Sequence, residues 1–186
     1  WKADVTYSGT QKCLSAPPGI SLITFSDKAA AQVKARNTPV QSWFLDLSLL
    51  MAYWEGDGAR TYHHTAPVNA MYGLHEALLM VQEEGLENSW HKHRAMHEVL
   101  VENLNGIGLE FVVDASYRLP QLNLVKIPEG VDEAAVRKRL LSEFNLEIGA
   151  GLGAFAGKVW RIGLMGYSAR HENIQLCTSA LKHCMR

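Results

Sequence analysis

The sequence predicts a mixed α/β fold, and three observations carry that expectation. Short β-prone runs alternate with stretches of helical period along most of the chain. At 186 residues and 47% hydrophobic, the chain is long and apolar enough to bury a sizeable core. Turn-forming clusters stand between the runs, among them Pro17-Pro18-Gly19, Asn37-Thr38-Pro39 and Pro128-Glu129-Gly130.

The elements follow in order. Residues 4–8 and 20–25 read as two strands around a loop whose two prolines cannot donate to a ladder. Ser26-Asp27 is the expected cap of a short helix from Lys28 to Lys34. A second helix is expected over Phe44–Trp54, closed by Glu55-Gly56-Asp57-Gly58. Val68, Met71, Tyr72, Leu74, Leu78, Leu79 and Val81 recur at a helical period up to Gly85. Asn88 is the expected cap of a long helix, Ser89–Asn105. Its stripe of Trp90, Ala95, Val99, Leu100 and Leu104 would face a core while its histidines and charges face water. Strands are expected at 109–113, 121–127, 146–148 and 159–164, with helices over 132–144 and 170–183. Residues 85–186 alone therefore read as a small α+β domain.

Composition removes several function classes. With 18 Lys+Arg against 19 Asp+Glu, no charge excess points to nucleic acid or an anionic membrane. No apolar run reaches the length of a membrane span. Cys13, Cys177 and Cys184 suit neither a disulfide framework nor a metal knuckle and read as free thiols, with Cys13 expected to be a buried small hydrophobe. The opening Trp1-Lys2-Ala3-Asp4 lacks the plan of a signal peptide and reads as a chain entered midway. A small-molecule function in the cytoplasm is the expectation, and a peroxisomal or mitochondrial site stays open.

Two glycine motifs fail on context. Gly149-Ala150-Gly151-Leu152-Gly153-Ala154 fits a dinucleotide fingerprint by letter, but Phe155-Ala156-Gly157 leads directly to another strand, leaving no helix N-terminus for a pyrophosphate. Gly157-Lys158 lacks the first glycine and the Ser/Thr of a P-loop. Metal is not expected either. His93 and His97 share a helix face without a third ligand in register, and these histidines read as solvated.

The remaining candidates carry amine and anion chemistry. Lys12 follows a strand end among small polar residues, Ser8-Gly9-Thr10-Gln11-Lys12, and is braced by Pro17-Pro18-Gly19. A fold can hold an amine against a cofactor from such a place, although for a lone lysine a plain surface turn is the commoner reading. Arg161 follows a glycine-rich loop, and its planar fork suits a carboxylate, while an exposed strand arginine is the plainer reading. Tyr62 and Thr65 lie in Thr61-Tyr62-His63-His64-Thr65-Ala66-Pro67, which fits no core pattern.

Taken together, Ser8–Lys12 with Pro17-Pro18-Gly19, Tyr62-His63-His64-Thr65, Gly85-Leu86-Glu87-Asn88-Ser89-Trp90, and Gly157-Lys158-Val159-Trp160-Arg161-Ile162-Gly163 resemble the class V pyridoxal-phosphate aminotransferases, in particular the alanine-glyoxylate and serine-pyruvate group. The resemblance covers the whole chain. It implies a fold-type-I transferase seen as its C-terminal half, with the end of the large domain over 1–84 and the small domain over 85–186. It implies pyridoxal 5'-phosphate in a Schiff base on Lys12, with Gln11 beside it. Tyr62 and Thr65 would reach the partner's cofactor phosphate across a homodimer interface, and Arg161 would clamp the substrate carboxylate. Small amino acids and 2-oxo acids are the implied substrates. The phosphate loop, the ring-stacking aromatic and the aspartate on the pyridine nitrogen would belong upstream of Trp1, so the fragment alone would be inactive. The cysteine desulfurase branch fits less well, because Gln11 precedes Lys12 and residues 149–160 hold no cysteine. A 3-hydroxykynurenine or phosphonate transaminase shares the same scaffold, and a non-catalytic assembly module is the alternative of another class.

Overall fold

The computed structural model describes residues 1–55 and 61–186, so the expected helix stop at Gly56-Asp57-Gly58 lies outside the described residues. The chain divides into two compact units: Trp1–Gln11 with Ala16–Ala77, and Lys12–Ser15 with Leu78–Arg186.

In the first unit, strands β1 (Val5–Gly9) and β2 (Ser21–Phe25) pair antiparallel with Val5 opposite Phe25 and Gly9 opposite Ser21. The loop between them is closed at its base: buried Thr10 donates its hydroxyl to the Pro17 carbonyl at 2.7 Å, and Ala16 N–H donates to the Thr10 carbonyl at 3.1 Å. Helix α1 (Asp27–Lys34) starts where Ser26 accepts from Ala29 N–H, as expected from the sequence. The helix expected over 44–54 is shorter. Ser42 caps a single 3-10 turn, Trp43–Leu45, and Asp46 accepts from Ser48 N–H to open α2 (Leu47–Glu55). Two capping side chains in a row split the run because each satisfies the first amides of its own turn. Helix α3 (Val68–Glu84), which belongs to this unit as far as Ala77, stands as expected, but of its apolar residues only Leu74 and Ala77 are buried.

The second unit holds the main core. Helices α4 (Leu86–Gly106), α5 (Glu133–Phe144) and α6 (His171–Cys184) share it with a three-stranded antiparallel sheet of β3 (Leu122–Lys126), β4 (Gly149–Ala150) and β5 (Val159–Gly163), in the order β3-β5-β4. Leu100 and Leu104 of α4, Leu140 of α5, Leu181 of α6, Val125 and Trp160 are all at most 1% exposed. Asp132, expected as the first residue of the helix, instead caps α5 by accepting from Ala134 and Ala135 N–H.

Several expected boundaries are corrected here. Asn88 lies inside α4, which begins directly after Gly85, whose φ of 82° turns the chain in one residue. Its amide instead donates to the Glu84 carbonyl at the end of α3. The buried line of α4 runs through His93, Leu100 and Leu104, while Trp90 and Ala95 are exposed. No strand forms over 109–113, where the chain meets β3 through one bridge, Phe111 to Val125, and two hydrogen bonds. The strand expected at 146–148 begins instead at Gly149. Asn145 takes the left-handed conformation and Leu146 N–H returns to the Leu140 carbonyl, so those residues close α5. Cys13 is exposed, against the expectation of burial; Cys177 and Cys184 are buried, and burial pushes the Cys177 thiol up to about 12. Among the described residues no helix is long and apolar enough to cross a membrane.

His97 supplies a pH test of the second unit. Burial holds its pKa below the ordinary value, with Arg118 adding to the effect and Asn123 and Glu98 opposing it. The folded state thus favours the neutral ring, and unfolding lets it take up a proton near pH 6.5. Stability should fall as pH drops through that ordinary value. Denaturant titrations at pH 7 and pH 5 should show a smaller loss in His97→Gln than in the parent, and equal losses would contradict this assignment.

Candidate active site

Lys12 sits at the first position of a tight turn closed by the Ser15 N–H donating to its carbonyl at 2.9 Å. Ser15 carries a φ of 55°, a conformation that costs a non-glycine residue and persists where contacts hold it. One such contact is the Tyr167 N–H, which donates to Ser15 Oγ at 2.9 Å. The Lys12 side chain is exposed and makes no hydrogen bond or ion pair among the described residues, so its amine is uncommitted. Gln11 is exposed too, and its Oε1 lies only 2.7 Å from where a Cβ on Gly9 would stand.

Arg161 is the central residue of β5, opposite Leu124 on one side and Gly149 on the other. Trp160 and Ile162 on either side of it point into the core, so strand alternation sends Arg161 to the other face, half-buried. Its Nε donates to the Ala150 carbonyl at 2.7 Å, and neither terminal nitrogen has a partner among the described residues. The guanidinium is therefore fixed at one edge and open at the other. A Cβ added at Gly149 would stand 3.2 Å from Nη2 and 3.3 Å from Nε, so the missing side chain leaves the space the guanidinium fills.

In the first unit the Tyr62 hydroxyl and Thr65 Oγ1 are in hydrogen-bond contact, and both residues are exposed. Their loop is pinned by His63, only 2% exposed, whose Nε2–H donates to the Trp43 carbonyl at 2.7 Å while its ring lies 4.2 Å from the Trp43 ring and 4.3 Å from that of His64. Thr61 Oγ1 adds a bond to the Ala52 carbonyl at 2.9 Å. Tyr62 and Thr65 are thus brought together in one unit, Lys12 and Arg161 stand in the other, and no hydrogen bond joins the latter two.

His93, expected to be solvated, is buried, and so is His63 in the Tyr62–Thr65 loop. His93 falls seven and eleven residues before Leu100 and Leu104, so its helical period was a usable signal, obscured by its polarity. Among the described residues no group of His, Cys, Asp and Glu is arranged to hold a metal. After Gly149–Ala150 the chain forms only a 3-10 turn, Gly153–Phe155, before β5.

The donor set fits a phosphorylated aldehyde cofactor and a carboxylate substrate. An uncommitted amine can bond to a carbonyl carbon, paired hydroxyls can donate to phosphate without adding charge, and an anchored fork can take a carboxylate in two parallel bonds.

Residues 1–176 match the model of the aminotransferase class-V family. The chain is similar to the alanine–glyoxylate aminotransferase of Callithrix jacchus, 45% identical over 98% of this chain and 45% of that one. Among solved structures it resembles the alanine–glyoxylate aminotransferase of Nostoc sp., with a TM-score of 0.95 at 47% identity over 100% of this chain and 49% of that one. It also resembles the ureidoglycine–glyoxylate aminotransferase of Bacillus subtilis, with a TM-score of 0.94 at 41% identity over 99% and 47%. The chain belongs to the class V aminotransferase family, and its fold is the fold-type-I architecture. It spans about half the length of the relatives it matches.

Gly149→Val should turn the Arg161 guanidinium away from the Ala150 carbonyl, at an overpacking cost of about 1–3 kcal/mol. A crystal structure of the variant would check this, and an unmoved Arg161 would show that the glycine is not what makes its room.

Proposed function

We propose that the whole protein to which this chain belongs is a pyridoxal-phosphate-dependent aminotransferase, moving an amino group from alanine or serine to glyoxylate or pyruvate. The single observation that carries the reading is Arg161: a guanidinium tied through Nε to the Ala150 carbonyl, with its two terminal nitrogens unpartnered among the described residues. Glyoxylate and pyruvate are carboxylates with almost no side chain, so a fork of this kind would supply most of their binding.

Bound at Lys12, pyridoxal phosphate would supply a carbonyl carbon and an electron-withdrawing ring, chemistry that protein side chains lack. The protein's part is placement and proton transfer. Arg161 would hold the substrate carboxylate in two parallel bonds and so fix the direction of the Cα–H bond. Lys12 Nζ, once free and neutral, would take the proton from that carbon and return it on the other side of the transfer. Tyr62 and Thr65 would donate to the phosphate, with the resemblance placing them on the partner subunit's site in a homodimer. Exposed apolar residues of the first unit, Trp43, Phe44, Trp54 and Tyr72 among them, accord with a subunit contact. Residues 1–84 would then belong to the large cofactor-binding domain and 85–186 to the small domain, with Gln11 beside the ring.

A second donor deserves the same assay, because a Bacillus subtilis relative 38% identical to this chain is an (S)-ureidoglycine–glyoxylate transaminase. The test uses the intact enzyme and a panel of amino donors. Lys12→Ala should lower turnover by at least about 10²–10⁴-fold. Arg161→Lys should lower kcat/KM for 2-oxo acids by roughly 10–100-fold, the worth of one charge-assisted hydrogen bond of about 1.5–3 kcal/mol. Parent-like kinetics in either variant would remove the role assigned to that residue.

A further inference from the structure

His93 is 3% exposed, and both of its ring nitrogens are spent. Nδ1 lies 2.6 Å from the Ser89 carbonyl, one turn earlier in α4, and Nε2 lies 2.9 Å from the Gly166 amide nitrogen. A carbonyl only accepts and an amide N–H only donates, so the proton sits on Nδ1 and Nε2 is bare. The ring is neutral and points its acceptor at the loop that follows β5.

That loop is what holds the lysine turn. Gly166 is buried with a φ of 54°. A Cβ there would collide with Ser15 Oγ and stand 2.5 Å from the Cys13 carbonyl oxygen, so the glycine lies flat against the turn. The next residue, Tyr167, gives its N–H to Ser15 Oγ, and Ser15 in turn gives its own N–H to the Lys12 carbonyl. One line of contacts thus runs from Ser89 through His93, Gly166 and Tyr167 to Ser15 and Lys12. The left-handed Ser15 is the link that would relax if the line were cut.

We propose that His93 is a positioning residue for Lys12: by accepting from the Gly166 N–H it fixes the 166–167 loop, and that loop holds the Lys12–Ser15 turn in the geometry that aims the amine. The proposal rests on the reading of Lys12 as the cofactor-bearing lysine for its purpose, though not for the clamp itself.

The experiment measures amide hydrogen exchange in the assembled enzyme. His93→Leu leaves the buried Gly166 N–H without a partner, and exchange at Ser15, Gly166 and Tyr167 should rise at least about tenfold. His93→Gln, whose side-chain oxygen can take the place of Nε2, should restore most of the protection. Leu140→Ala, a core change in α5, is the control and should leave exchange at these three amides within about twofold of the parent, because they exchange by local opening of the clamp. In kinetics, His93→Leu should lower kcat while the KM for the 2-oxo acid, set by Arg161, stays within about twofold. No rise in His93→Leu, no recovery in His93→Gln, or an equal rise in Leu140→Ala would overturn the proposal. Nitrogen NMR of the unmodified enzyme gives a check that needs no variant: a proton on His93 Nδ1 supports the clamp, and a proton on Nε2 defeats it. Lys12→Ala separates the two ideas. If it keeps turnover, the lysine's role fails and the clamp loses its catalytic purpose; if it loses turnover while the three amides stay protected, both stand.

Discussion

The pairing of β5 on both its edges is the constraint from which the second unit's chemistry follows. With β3 on one side and β4 on the other, the register of β5 cannot slip by one residue without sending Trp160 and Ile162 out of the core and Arg161 into it. Trp160 is fully buried, so such a slip would expose a large apolar side chain and bury an unpaired guanidinium at once. The core therefore fixes where the arginine points. The cost of a wrong register, not any attraction of the arginine itself, is what places its fork.

The same strand leads straight into the loop at Gly166 and Tyr167, which meets the turn carrying Lys12. An arginine on the strand and a lysine 149 positions earlier are thereby held by one short stretch of backbone. Backbone amides do most of this work: the amides of Gly166 and Tyr167 and the carbonyl of Ala150 are all main-chain groups. Main-chain groups cannot change rotamer, which suits a site where a displacement of an ångström matters. In the first unit a different device serves the same end, with the buried His63 tying the Tyr62–Thr65 loop to the Trp43 carbonyl.

Much of this was legible in the sequence where a residue type has only one use. Ser26 announced a helix start, and the run from Val159 to Leu164 announced the strand that carries Arg161. The letters around Lys12 and Arg161 marked both as candidates and resembled a family that the comparisons bear out. What stayed hidden depended on partners distant along the chain. His93 reads as a surface histidine until Gly166, 73 residues away, supplies its donor. Cys13 reads as a small apolar residue until the turn places it outside. The β-prone run at 109–113 had the right residues, but Gly108 with its φ of 82° and the Leu109 N–H returning to Leu104 spend its start on closing α4. Asn88 had the chemistry of a cap and lost the position to a glycine that turns the chain faster.

The account stands on Lys12 being the amine that meets the cofactor. Its most direct test is to add pyridoxal phosphate to the intact protein, reduce with borohydride and locate the phosphopyridoxyl mass by peptide sequencing. The label should fall on Lys12 at one per chain. A label on Lys158 or any other lysine, with Lys12 unmodified, would contradict the account.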